Sequence, residues 1–156
     1  MTPHEVEAYL HAHIPISGAM GVRVVSCSAA EVILGAPLAP NINHRATAFG
    51  GSLSAVAILS AWTWLHRAAR EAGCHTRLVI QRNSIEYLAP VSTEFEARCT
   101  GLDAVVQEKF FRTLHRLGKA RATLTAELTS GGQVVATFTG DYVAMLLDEQ
   151  VTAQQT

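Results

Sequence analysis

The sequence predicts an α+β layer in which a mostly antiparallel sheet covers one long buried helix. Three observations carry that reading. Residues 52–71 include Leu53, Ala55, Val56, Ala57, Ile58, Leu59, Ala61 and Trp62, a run that is apolar or small on nearly every side, as in a helix enclosed by other elements. Short segments rich in Val, Ile, Leu and Thr flank it and read as strands. The links between them are short and hairpin-like, which favours antiparallel pairing, and one face of such a sheet can cover the helix.

Taken in order, residues 3–13 read as a short helix with Thr2 as N-cap, Pro3 at the first helical position and Val6, Leu10 and His13 on one face. Pro15 and Gly18 are expected to end it. Residues 22–27 and 31–36 read as two strands joined by a small turn, and Pro37 and Pro40 stop regular structure after them. The long helix follows Gly50-Gly51. Gly73 suits the position just past its end, and Arg67 and Arg70 suit the negative end of its dipole. Trp62 and Trp64 point to different faces, so at least one belongs to the core. Residues 76–87 and 93–101 read as strands separated by Ala89-Pro90. In residues 103–117, Val106, Phe110, Leu114 and Leu117 recur at helical spacing before Gly118. Residues 120–129 and 133–143 are strands about a Ser130-Gly131-Gly132 turn, with Thr123, Thr125 and Glu127 alternating against Leu124, Ala126 and Leu128. One domain over residues 1–148, followed by a polar, flexible tail at 149–156, is the expected organisation.

The chain has 156 residues, 49% hydrophobic and 16% charged, with a net charge of −1. That balance permits a sizeable core and argues against a general nucleic-acid binder. Cys27, Cys74 and Cys99 form no C-x-x-C pair, and an odd count suits a reducing cytoplasm. No signal peptide is recognisable. The longest apolar stretch, residues 53–65, is too short for a bilayer, which needs roughly 20 apolar residues, so no membrane partner is expected. The histidines form no H-E-x-x-H, and His11-x-His13 alone is weak, so no metal is expected.

The chemistry-bearing stretch is NINHRATAFGGSLS, residues 41–54, where a polar run with two amides, an imidazole and a threonine ends in Gly-Gly before the apolar helix. A helix start leaves backbone N–H groups without intrahelical acceptors, and glycines let a ligand approach them. Phe49, Gly50 and Gly51 would bring those donors to a substrate oxygen, Asn43 and Thr47 carry side-chain donors, and His44 is a candidate proton donor or substrate contact. Asn41 is expected to make an Asx-turn. Ser52 is not a nucleophile, since no G-x-S-x-G elbow occurs.

The Gly-Gly before a long apolar helix, the phrase Asn43-x3-Thr47-Ala-Phe-Gly-Gly-Ser52 and the segment Asn83-Ser-Ile-Glu-Tyr-Leu-Ala-Pro-Val91 together resemble the hotdog fold, an antiparallel sheet wrapped around a long central helix. Over roughly residues 3–147 the chain resembles the hotdog-fold thioesterase and malonyl-ACP decarboxylase group, the module that follows an acetyltransferase-like domain in some bacteria. The resemblance implies action on an acyl thioester carried by acyl carrier protein or coenzyme A, in fatty-acid biosynthesis. It implies Asn43 and Thr47 as active-site residues and a homodimer or higher homo-oligomer with the site between subunits, Ser84 and Tyr87 being candidates for the opposite wall.

The reaction within that group turns on carboxylates. Many hotdog thioesterases carry an Asp or Glu on the central helix, two to three turns past the glycines. Here that position falls within residues 60–63, and no carboxylate occurs between Glu31 and Glu71. Hydrolysis lacks its usual base or nucleophile, unless Glu86 or Asp141 serves from a strand. Decarboxylation of a malonyl thioester needs no such group, only donors for the enolate oxygen and a dry surface. The expected activity is malonyl-ACP or malonyl-CoA decarboxylation, giving the acetyl thioester. An acyl-thioester hydrolase and a non-catalytic binding module remain alternatives. No cofactor is implied beyond the substrate's phosphopantetheine or coenzyme A. Lys109, Arg112, Arg116, Lys119 and Arg121 form either a basic surface for an acidic carrier protein or an ordinary solvated face.

Overall fold

The computed structural model describes residues 1–147, so the expected tail at 149–156 lies outside the described residues. The chain runs α1 (Pro3–His13), α2 (Pro15–Ala19), β1 (Arg23–Cys27), β2 (Val32–Ala36), a 3-10 turn (Ala39–Asn41), α3 (Gly50–Glu71), β3 (Thr76–Tyr87), β4 (Phe95–Cys99), α4 (Ala104–Leu117), β5 (Lys119–Ser130) and β6 (Gln133–Leu146). The strands form one six-stranded sheet in the order β1-β2-β4-β5-β6-β3, antiparallel throughout. This is the expected α+β hotdog architecture: the sheet curls around α3.

Thr2 caps α1 through a capping box with Glu5. Pro15 does not simply end that helix. It opens α2, because proline's fixed φ and missing N–H suit a first helical position. Gly118 closes α4 in a left-handed conformation, and Gly131 and Gly132, both at positive φ, form the two-residue turn between β5 and β6.

The central helix is held from three sides. Trp64 is buried and donates from Nε1 to the Ala29 carbonyl at 3.2 Å. Tyr142, on the inner face of β6, donates to the Ile58 carbonyl at 2.8 Å. Trp62 is only half-buried and donates to the Leu78 carbonyl of β3 at 3.3 Å. Buried polar tips that find partners let these aromatic bodies anchor the helix without a desolvation penalty.

The two sheet edges differ. At β1, Glu7 of α1 accepts a hydrogen bond from the Val24 N–H at 2.8 Å, so a helix side chain covers part of that edge. β3 pairs with β6 alone among the described residues and carries no proline, and Val79 is exposed on it. A long open edge of this kind is a template for pairing.

His66 lies on the open side of α3, stacked between Tyr9 and Trp62 at ring-centroid distances of 5.0 and 4.8 Å. Burial, then Arg70 and His13, pushes its pKa down to about 4 from an ordinary 6.5. Between those values the unfolded chain binds the proton more strongly, so stability is full above pH 6.5 and falls as pH drops toward 4. We expect His66→Phe, which keeps a stacked ring, to lose less stability than the parent between pH 7 and pH 5. After allowance for the ring's solvated edge the difference is on the order of 1 kcal/mol. Urea unfolding at the two pH values measures it, and identical losses would contradict the assignment.

Candidate functional site

The helix begins at Gly50, two residues earlier than its sequence pattern suggests, with Phe49 as N-cap. Both glycines therefore belong to its first turn. Phe49 offers no side-chain cap. Its carbonyl accepts from Ser52 N–H at 2.9 Å and Leu53 N–H at 3.2 Å, while the Gly50 and Gly51 N–H groups have no acceptor among the described residues. Two donors at the positive end of a 22-residue helix are thus open. A Cβ on Gly51 would lie 2.3 Å from Cε1 of the Phe49 ring, so any larger residue requires that exposed ring to move.

A cavity of about 380 Å³ opens at this helix start, lined by Ala48, Gly50 and Leu53 on one side and residues 87–91 on the other. Tyr87 donates its hydroxyl to the Gly50 carbonyl at 2.8 Å. Two of the expected site residues, Gly50 and Tyr87, therefore meet within one chain, in addition to any contact across subunits.

The reason lies in β3. Leu78 and Ile80 stand opposite Ala144 and Tyr142, on the face that meets α3. An irregularity between Ile80 and Arg82 adds a residue and reverses the alternation beyond it. Ile85 then stands opposite Phe138 and Tyr87 opposite Ala136 on the helix side, whereas Ser84 faces Thr139 and Glu86 faces Thr137 on the outer side. Without the bulge, Glu86 rather than Tyr87 would point toward the helix. Ser84 is not gathered with Gly50. It lines a separate depression with Arg82, Asn83, Thr139 and Asp141.

Asp141 lies on that outer face as well. It accepts from Thr123 at 2.7 Å and from Arg82 at 2.8 Å, and these bonds, Thr123 first, hold its pKa below the ordinary carboxylate value. A carboxylate so engaged is a weak base. Neither strand carboxylate reaches the cavity, and its lining contains none.

The loop before the helix is built on Asn43. Its Oδ1 accepts from Arg45 N–H at 2.8 Å and Thr47 N–H at 3.2 Å, and its Nδ2 donates to Thr47 Oγ1 at 2.9 Å and the Ala48 carbonyl at 3.4 Å. The two backbone donors fix which way the amide points. Asn43 N–H also donates to the Thr47 carbonyl at 2.7 Å. Asn43 is therefore engaged within its own loop, where the sequence suggests a direct donor to substrate. Its effect is to hold Thr47: the threonine oxygen accepts from Asn43, which leaves its own O–H free to donate. The loop is tight enough to hold Ala46 at φ 59°, a conformation costing about 1 kcal/mol for a residue with a Cβ.

His44 is exposed, and its Nε2 accepts from Arg45 Nε at 3.2 Å, away from the cavity lining. Asn41 does not form the expected Asx-turn. It is buried and donates to the carbonyls of Met20 at 2.9 Å and Pro37 at 2.7 Å, tying the end of α2 to this loop. The basic residues from Lys109 to Arg121 lie elsewhere. α4 ends beside Gly118, which bonds Leu146 opposite Thr76, at the start of β3, whereas Tyr87 ends that strand. Twelve residues of strand put on the order of 35 Å between the two ends. Among the described residues no His, Cys, Asp and Glu side chains gather as a metal-ligand set, and no helix is long and apolar enough to cross a membrane.

Comparison with known proteins adds the family. A family model described as "Putative thioesterase (yiiD_Cterm)" matches residues 3–146. A solved structure of a protein with unknown function from Chlorobaculum tepidum TLS is 30% identical, covers 94% of this chain and 98% of that one, and superposes with a TM-score of 0.89. One described as a "putative thioesterase", from Shewanella oneidensis, is 29% identical over 92% of this chain and 96% of that one, with a TM-score of 0.83. A "probable thioesterase" from Pseudomonas aeruginosa, at 22% identity over 93% and 97% with a TM-score of 0.79, shares the fold.

The loop makes a ranking that thermal or urea unfolding checks. Asn43→Ala removes every side-chain bond of the hub and should cost about 1–3 kcal/mol. Thr47→Ser keeps the hydroxyl and should stay within about 0.5 kcal/mol of the parent. Equal stability of the two variants would contradict the role given to Asn43.

Proposed function

We propose that this chain, which belongs to the thioesterase family of the yiiD_Cterm type, processes acyl thioesters by decarboxylation of a malonyl thioester to the acetyl thioester. The observation that carries the proposal is the start of α3, where two N–H donors are open and the cavity lined by Gly50 holds no carboxylate. In this reading the thioester oxygen accepts from the Gly50 and Gly51 N–H groups, assisted by the Thr47 hydroxyl that Asn43 orients. The bond between the carboxylate carbon and the α-carbon breaks. Its electron pair becomes the enolate, whose negative oxygen stays on those donors, and CO2 leaves. A proton from water then completes the acetyl group. Preorganised donors favour this step because charge develops on the oxygen they face, each being worth roughly 3 kcal/mol, or about a hundredfold in rate. Leu53 and the apolar part of residues 88–91 give the leaving carboxylate an apolar wall.

The substrate is carried on acyl carrier protein or coenzyme A, and its pantetheine arm is the only cofactor-like group required. The open β3 edge supports a homodimer through edge-to-edge pairing. Antiparallel pairing of that kind brings the Thr76 end of one β3 beside the Tyr87 end of the other. The partner's α4, with Lys109, Arg112 and Arg116, then approaches the site that a single chain keeps far from its own basic helix. Those charges suit an acidic carrier or the phosphates of coenzyme A. Hydrolysis is the second reading, favoured by the family's description and by the Shewanella relative. It requires a base from outside the cavity lining of a single chain.

Incubation with malonyl-ACP and malonyl-CoA, followed by separation of acetyl thioester, free thiol and unchanged substrate, tests the proposal. Acetyl thioester without free thiol is expected, and Thr47→Val should lower its formation about tenfold or more. Free thiol with malonate would assign the chain to hydrolysis. Unchanged substrate with saturable binding would leave a binding module.

A further inference from the structure

The phenol of Tyr87 acts on more than the position of the helix start. Its hydroxyl donates to the Gly50 carbonyl at 2.8 Å. That carbonyl and the Gly51 N–H belong to one peptide group, joined by a C–N bond of partial double-bond character. A hydrogen bond accepted at the oxygen draws electron density from the nitrogen, so the N–H at the other end becomes a stronger donor. The Gly51 N–H is one of the two that have no acceptor among the described residues. The carbonyl oxygen has two lone pairs, so the phenol adds to its helical bond and does not replace it.

Sequence and fold both serve this contact. A Cβ on Gly50 would lie 3.3 Å from Cζ and from Oη of Tyr87, so glycine at this position is what lets the phenol come in close. The segment that carries the phenol is tied down on two sides. Leu88 and Ala89 N–H both donate to the Val135 carbonyl of β6, at 2.8 and 3.3 Å, and the Val91 carbonyl accepts from Ala48 N–H, two residues before the helix, at 2.7 Å. The neighbouring Phe49–Gly50 peptide differs. Its carbonyl accepts from the Ser52 and Leu53 N–H groups and not from Tyr87. The two open donors are therefore unequal: a phenol stands behind Gly51 N–H and not behind Gly50 N–H.

We propose that Tyr87 is a positioning residue for the reaction: by donating to the Gly50 carbonyl it orients the Gly50–Gly51 peptide and strengthens the Gly51 N–H toward the oxygen on which negative charge develops. The role rests on the reading of that N–H as a donor to the thioester oxygen, and it is the same for an enolate or a tetrahedral oxyanion. One such donor is worth about a hundredfold in rate, and cooperative bonding strengthens it by roughly 10–30%, so the phenol contributes about two- to fourfold in kcat. Charge grows on the oxygen only as the reaction proceeds, so KM should stay near the parent value.

Two variants at position 87 test it. Tyr87→Phe keeps the ring and removes the hydroxyl. A fluorotyrosine placed there keeps the hydroxyl and makes it a stronger donor, near pH 6 where the fluorinated phenol retains its proton. In protein labelled with carbon-13 and nitrogen-15 glycine, a carbonyl carbon correlates with the next amide nitrogen only where two glycines adjoin, at Gly50-Gly51 and Gly131-Gly132. Without substrate, the Gly50 carbonyl carbon and the Gly51 nitrogen should move upfield in Tyr87→Phe and downfield with fluorotyrosine. The Gly131-Gly132 signal should stay in place, and the Gly50 nitrogen should move less than that of Gly51. The kcat for acetyl thioester formation should follow the same order, phenylalanine lowest, at nearly constant KM. An unmoved Gly50-Gly51 signal in Tyr87→Phe would overturn the role. So would a kcat that falls alike in both variants, which is what a purely structural clip predicts. Failure of the decarboxylase reading looks different. If the parent releases free thiol, that reading fails, and the same order in thiol release upholds Tyr87. If the parent turns over nothing, that reading fails and the glycine signals alone decide the role of Tyr87.

Discussion

Everything at the candidate site follows from a helix that starts without a cap. Most helices satisfy their first N–H groups with a Ser, Thr, Asp or Asn side chain. Here Phe49 precedes the first turn and glycines fill its first two positions, so the Gly50 and Gly51 donors stay open. A free helix terminus frays unless tertiary structure holds it. In this chain Tyr87 binds the Gly50 carbonyl, the Ala48 N–H donates to the Val91 carbonyl at 2.7 Å, and the Phe49 N–H donates to the Asn41 carbonyl at 2.7 Å. Further along, Trp64 and Tyr142 pin the helix to the surrounding chain. The fold supplies rigidity where local sequence withholds it, and what remains is a pair of open donors at the helix start, with Gly50 lining the cavity there.

The chemistry the donors serve is set by what surrounds them. The bulge in β3 decides that a phenol and not a carboxylate turns toward the helix start. Asn43 holds the Thr47 hydroxyl in place by accepting and donating within its own loop. An oxyanion can be held there, but the cavity of a single chain offers no base to activate water.

Much of this was legible in the sequence because it rests on local pattern. The buried helix, the alternation in β5 and the Gly131-Gly132 turn each express a period or a φ requirement that a few residues reveal. The helix starts two residues before its apolar pattern because Gly50 and Gly51 read as breakers yet occupy its first turn. The α2 turn was hidden by Pro15, which starts a helix as readily as it ends one. Within one chain Ser84 faces the outer side through a feature with no sequence signature, the extra residue between Ile80 and Arg82. Asn43 was recognised as a hydrogen-bonding residue, but its partners became apparent only once the loop had closed.

The central claim, that the Gly50 and Gly51 N–H groups receive the substrate's carbonyl oxygen, is open to direct observation. A malonyl amide analogue of coenzyme A, with NH in place of sulfur, keeps that oxygen and resists turnover. In proton–nitrogen correlation spectra of glycine-labelled protein, saturation with this analogue should move the Gly50 and Gly51 amide resonances downfield and leave those of the Gly131-Gly132 hairpin in place. A titration that saturates through shifts elsewhere, with both helix-start amides unmoved, would contradict the account.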